Sequence, residues 1–141
     1  MNDAAELAAR IAEKKMAPSI EIVDAEPPKF SDDALAQKFA ERHGDNLRYI
    51  ADWSHWYAWV DARWERESTL DAFDRARAVC RVAASQLAAS EGKKPKAQTD
   101  LTSAKTVAAV ERLAKADRRI AATSEQWDTD LDVFNKEEPT S

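Results

Sequence analysis

Trp53, Trp56, Trp59 and Trp64 fall within twelve consecutive positions of a 141-residue chain that holds five tryptophans. Each indole carries a large apolar area that must find something to pack on. The three-residue recurrence at 53, 56 and 59 is compatible with a helix. The concentration of Tyr, Trp, Ile and Val over residues 47–67 favours strands instead. The expected strands are Leu47–Ile50, Trp56–Val60 and Arg63–Glu67, with turns at Ala51-Asp52 and Asp61-Ala62. In the second strand Trp56, Ala58 and Val60 face one way, and Tyr57 and Trp59 the other. One side then packs on helices and the other stays open.

The flanking sequence supplies those helices. Ser31 followed by Asp32 and Asp33 reads as an N-cap and acidic first turn, and Leu35, Phe39 and His43 lie on one face. Gly44 is expected to end this helix in the left-handed conformation. Ser68-Thr69-Leu70-Asp71 reads as the start of a long helix to about Ser90, with Ser68 and Asp71 as a shortened capping box. Its buried stripe is Leu70, Phe73, Ala76, Cys80, Ala83 and Leu87, and Asp71 and Arg75 form an i,i+4 pair. Residues 91–98 read as a basic loop. A helix over about 100–116 follows, with Leu101, Ala104, Val107, Ala108, Val110 and Leu113 as its apolar positions. A shorter piece carries Arg118, Arg119 and Ile120. Thr123-Ser124-Glu125-Gln126 is a capping box just before Trp127. The fold class is therefore α+β, mainly α: a helical domain with a small antiparallel Trp-rich hairpin or three-stranded sheet.

Three segments are expected. Residues 1–30 form an N-terminal helical arm, centred on residues 4–16, with a Pro-rich linker containing Pro27-Pro28; a frayed leader is the alternative. Residues 31–127 form the folded domain, and residues 128–141 an acidic tail. One domain of this size needs no disulfide. The single cysteine, Cys80, cannot form one internally and fits a reducing, cytoplasmic setting. No apolar run approaches the roughly 20 residues of a membrane span.

Two glycines, Gly44 and Gly92, cannot build a phosphate-cradling loop, and neither a P-loop nor a dinucleotide fingerprint is present. His43 and His55 lie far from Cys80, without metal-ligand spacing. No serine sits in a nucleophile elbow. Neither an enzyme nor a cofactor is expected.

The net charge of −5 is unevenly distributed. Residues 1–62 carry 7 bases and 12 acids, residues 63–119 carry 13 and 8, and residues 120–141 carry 1 and 6. A basic middle between acidic ends allows a nucleic-acid contact but weakens any purely electrostatic account of it.

Gly44-Asp45, Leu47-Arg48-Tyr49, Trp53, Trp56, Trp59, Asp61, Arg63-Trp64 and Glu67 are followed by a helix bearing Asp74, Arg77-Ala78 and Cys80. Ala121-Ala122-Thr123, Gln126-Trp127-Asp128 and Asn135 come far downstream. This order, over about residues 31–135, resembles the helical N-terminal domain that precedes the superfamily 3 ATPase in phage and plasmid primase-helicases of the poxvirus type. The resemblance implies a mainly helical, non-catalytic module with a small hairpin, lying between a primase and a hexameric motor and forming part of its collar. The chain departs from the family pattern at Asp61-Ala62, where Asp-Gly is usual. Alanine is poor at positive φ, so that turn must differ or carry strain. The sequence after Asn135 also does not continue into the glycine-bearing strand at the entrance to the ATPase. The alternatives are a degenerate fragment of a larger primase-helicase and a stand-alone protein reusing the fold; the acidic tail and the missing continuation favour a stand-alone small phage or prophage protein.

Two functional readings follow. In the first, a DNA-replication accessory module assembles with a helicase or primase and touches single-stranded or forked DNA weakly. Its phosphate contacts would come from Arg77, Arg81, Lys93, Lys94 and Lys96, with Arg118 and Arg119 as a second spot. Trp53 and Tyr57 are the candidates for an exposed, base-stacking or partner-contacting ring, whereas most of the tryptophan cluster serves as core. In the second, a protein-interaction module inhibits a host nucleic-acid-binding or defence enzyme, such as a CRISPR effector, through its acidic surface. Homo-oligomerisation as an orphaned collar is a third possibility.

Overall fold

The computed structural model describes residues 25–127; the expected helix at 4–16, most of the linker and the acidic tail lie outside the described residues. Helix α1 spans Asp32–His43, strands β1, β2 and β3 span Leu47–Ile50, His55–Val60 and Arg63–Arg66, and helix α2 spans Asp71–Glu91. Helices α3 (Pro95–Leu101) and α4 (Ala104–Ala114) follow, then a two-residue strand β4 (Ala121–Ala122). The sheet order is β3-β2-β1-β4. The first three strands are antiparallel, as expected, and β4 adds a short parallel edge, pairing Tyr49 with Ala121 and Ile50 with Ala122. Two alanines carry no strand signal of their own, which is why β4 is invisible in the sequence.

Helix α1 begins as expected. Ser31 Oγ accepts from Ala34 N–H at 3.1 Å, and Asp32 and Asp33 complement the first turn. Its end differs from the expectation. Gly44 closes the helix in the right-handed region, at φ −60°. The glycine is needed for close approach: a Cβ there would sit 2.6 Å from the Ala40 carbonyl oxygen and 3.3 Å from Arg119 Cβ.

Helix α2 also starts differently. Ser68 is not its N-cap. Leu70 holds that position in the left-handed region at φ 61°, and its side chain is 76% exposed instead of heading the buried stripe. Glu67 does the capping, its carboxylate accepting from the Thr69 N–H and hydroxyl. Burial pushes the Glu67 carboxyl up, but the Thr69 hydrogen bonds, together with backbone bonds from Asp71 and Ala72, outweigh it and leave the group below its ordinary value. The rest of the stripe is as expected: Ala76, Cys80, Ala83 and Leu87 are buried, and Arg75 Nε donates to Asp71 at 2.8 Å.

The single helix expected at 100–116 is two. The chain breaks at Thr102-Ser103, where Ser103 Oγ accepts from Thr106 N–H at 3.2 Å and starts a new helix. The buried face of α4 is therefore Val107, Val110 and Ala114, while Leu113, Ala104 and Ala108 are exposed. Pro95 occupies the first turn of α3, so Lys96 is helical and only 92–94 remain as loop.

The main core lies between helices and sheet. Leu35, Phe39 and Ala40 of α1, Ala76, Val79 and Cys80 of α2, and Val107 and Val110 of α4 pack on Leu47, Trp56 and Ala58. Burial pushes the Cys80 thiol up to about 11, with Asp32 adding to it, and keeps it an inert apolar filler. Phe39 meets the Trp56 ring at 5.8 Å and the edge of His43 at 5.0 Å. His43 Nδ1 faces Arg75 Nη1 at 3.1 Å. His55 is the first residue of β2, opposite Ile50.

Candidate nucleic-acid interface

The second face of the sheet is not simply open. Trp127, from the helical turn after β4, is 2% exposed and lies against it, 5.0 Å from the Tyr57 ring and 4.9 Å from Trp64. Its place is prepared by the expected capping box: Thr123 Oγ1 accepts from Gln126 N–H at 3.1 Å, and Gln126 Oε1 accepts from Thr123 N–H at 3.0 Å. Trp59 stands directly opposite Trp64 in the ladder, with rings 5.3 Å apart, and Trp53 reaches Tyr57 from the β1–β2 turn at 6.0 Å. Five aromatic rings thus run continuously along this face, in the order Trp53, Tyr57, Trp127, Trp64, Trp59. All but Trp127 are half-buried.

Register adds cations to the same face. Tyr57 pairs with Arg48 on β1 and with Arg66 on β3. Directly opposed residues share a face, so an arginine stands on either side of Tyr57. Arg48 is fixed: its guanidinium lies 5.3 Å over the Trp64 ring and donates to the Gly44 and Leu47 carbonyls. Arg66 is exposed. Neither arginine was singled out from sequence. The signal was present, because a two-residue turn at Asp61-Ala62 pairs Val60 with Arg63 and so Tyr57 with Arg66.

The helical cations do not form one track. Arg77 and Arg81 lie one turn apart and line a groove of about 210 Å³ with Phe73, Thr102, Ala104 and Val107. Arg77 is paired with Asp74 at 3.0 Å, both exposed. Lys93, Lys94 and Lys96 lie beyond the far end of α2; Arg81 and Gly92 are about 16 Å apart along the axis at 1.5 Å per residue. Lys94 is paired with Glu91 at 3.1 Å. Arg118 bonds the Ala116 carbonyl, and Arg119 bonds both oxygens of Asp117. The Arg119 hydrogen bond, opposed by burial and helped by both neighbouring arginines, holds the Asp117 carboxyl below its ordinary value. Arg119 also lines a groove of about 530 Å³ whose charges are mixed: Lys29 and Lys38, Glu26 and Glu41. Of the expected phosphate contacts, Arg77 and Arg81 are brought together in one groove.

Among the described residues no cluster of three or more His, Cys, Asp or Glu could hold a metal ion. No described helix is long and apolar enough to cross a membrane. A family model described as D5 N terminal like matches residues 36–137 of the 141. It is the N-terminal family of the primase-helicases, the one the sequence order resembles. No curated protein and no solved structure matches the chain.

Proposed function

Because the chain belongs to the D5 N-terminal-like family, we propose that it is a non-catalytic DNA-replication accessory module that touches DNA weakly beside a primase-helicase motor. The family match carries this reading. Support comes from the charge excess of residues 63–119, 13 bases against 8 acids, and from the groove holding Arg77 and Arg81 together. Exposed guanidiniums one helical turn apart suit successive phosphates better than a single small ligand.

Anisotropy of labelled single-stranded, forked and duplex DNA, at low and moderate salt, tests the reading. The expected result is weak binding that falls steeply with salt, with the duplex component lost in an Arg77→Glu/Arg81→Glu/Lys93→Glu/Lys94→Glu variant. Absence of binding at low salt removes the DNA contact. The acid excess at both ends of the sequence then favours the second reading, capture of a basic protein partner, such as a host nucleic-acid-binding or defence enzyme.

A further inference from the structure

The aromatic sheet face has a chemistry the helical groove lacks. Phosphate alone is served by Arg77 and Arg81, whereas unpaired bases need π-surfaces placed among cations. The Arg48–Tyr57–Arg66 row crosses three strands, and the Trp59–Trp64 pair forms the next row. Neighbouring strands stand about 4.8 Å apart, so the outer two α-carbons of a row are about 10 Å apart. That separation sets the exposed Arg66 at one end of the row to meet a phosphate of a single strand lying across the rings, while Arg48 at the other end holds Trp64. Duplex DNA cannot use such a row, because its bases are stacked inside.

We propose that this face, with Trp53 and Trp64 as ring contacts and Arg66 as a phosphate contact, binds single-stranded nucleic acid. The inference rests on the replication reading above and deepens it, by assigning the unpaired strand of a fork to the sheet and the phosphates of the duplex to the Arg77/Arg81 groove. Charge and ring chemistry select this occupant. Arg66 stands exposed beside half-buried rings, and a flat cationic-aromatic surface accepts any base sequence. Arg48 is the positioning residue of the site. Its hold on the Gly44 and Leu47 carbonyls and on the Trp64 ring fixes the indole on the face.

Four of the five tryptophans (Trp53, Trp59, Trp64, Trp127) belong to this ring series, and Trp56 points into the main core. Tryptophan emission therefore reports on it directly. The test is titration of the full chain with a short oligothymidine and with a blunt-ended two-strand duplex, following emission and anisotropy together. Oligothymidine is expected to quench emission, and the duplex to bind without quenching. Trp53→Ala is expected to weaken oligothymidine binding about tenfold, leaving the duplex unaffected. Arg66→Glu, at an exposed position, is expected to flatten the salt dependence of single-strand binding by about 0.7 in the log–log slope. Oligothymidine binding that survives both substitutions, and is lost instead in the Arg77→Glu/Arg81→Glu variant, overturns the sheet assignment and leaves the replication reading standing. Binding of neither DNA by the unsubstituted chain overturns both.

Discussion

Trp56 Nε1 donates to Glu111 Oε2 at 2.7 Å, joining β2 to α4 across 55 residues of sequence. The indole is buried between helices and sheet, and its one polar atom needs a partner there. Glu111 is held in turn by Lys115 at 3.6 Å, and the same ammonium lies 4.7 Å from the centre of the Tyr49 ring. A hydrogen bond to a carboxylate contributes about 1.5–3 kcal/mol. Glu111→Ala should therefore lower unfolding stability by about 2 kcal/mol, read as a lower urea midpoint at unchanged slope. An unchanged midpoint would show that water replaces the carboxylate at no net loss.

The Asp61-Ala62 turn carries the strain that its sequence implied. Both residues are left-handed, at φ 52° and 65°, as a type I′ turn requires. A left-handed L-residue costs roughly 1–2 kcal/mol, from which the extra chain entropy of glycine subtracts. Ala62→Gly should stabilise the protein by roughly 0.5–1 kcal/mol in the same denaturation assay. Destabilisation would mean that the methyl group makes a compensating contact.

Glu67 substitutes for the capping serine expected at position 68. Glu67→Ala removes the cap from α2 and should destabilise by about 1 kcal/mol at neutral pH. Its folded carboxyl titrates below the ordinary value of 4.5. That stabilisation is therefore present above about 4.5 and lost as pH falls through the lower folded value. The variant and the unsubstituted protein should converge in stability at acid pH, checked by thermal melts across a pH series.

His43 is pushed from 6.5 down to about 4, by burial first and then by Arg75 and Arg42, against an opposing pull from Asp71. Folding keeps the imidazole neutral while the unfolded chain binds a proton below 6.5. Stability is thus fully present above 6.5 and falls as pH drops from 6.5 towards 4. His43→Gln, which retains a hydrogen-bond acceptor for Arg75, should flatten the stability profile between pH 7 and 5. An identical slope in both proteins would place the proton uptake elsewhere.

Three acids, Asp128, Asp130 and Asp132, follow within five residues of Trp127 in sequence. A single strand bound on the sheet face should therefore be sensitive to their charge. Replacing all three with Asn should tighten single-strand binding several-fold at low salt and less at moderate salt, by anisotropy. Unchanged affinity would place the bound strand away from Trp127.

The strands were legible because local chemistry and tertiary demand agree there. Leu47–Ile50 matches residue for residue, and the other two strands shift by one position at one end. The same holds for Ser31, which caps α1 from its own neighbourhood. Expectation failed where another residue took over a local role. Glu67, one position earlier, displaced Ser68 as a cap, and the approach of the distant Arg119 helped to fix Gly44. The break at Thr102-Ser103 was marked by Ser103 itself, but the apolar period ran through it. On the sheet face Trp53 and Tyr57 were recognisable as rings. Arg48 and Arg66 needed the register, and Trp127 needed the parallel pairing of β4 that delivers the chain to that side.

The central claim is that two separate surfaces of this fold meet DNA. Backbone amide shifts of the ¹⁵N-labelled chain, titrated with a forked DNA at low salt, test it most directly. The account predicts two groups of perturbed amides, one around residues 48, 53, 57, 64 and 66 and one around 77, 81 and 102–104. Oligothymidine alone should perturb only the first. A spectrum unchanged by saturating fork DNA, or shifts confined to residues outside both groups, would contradict it.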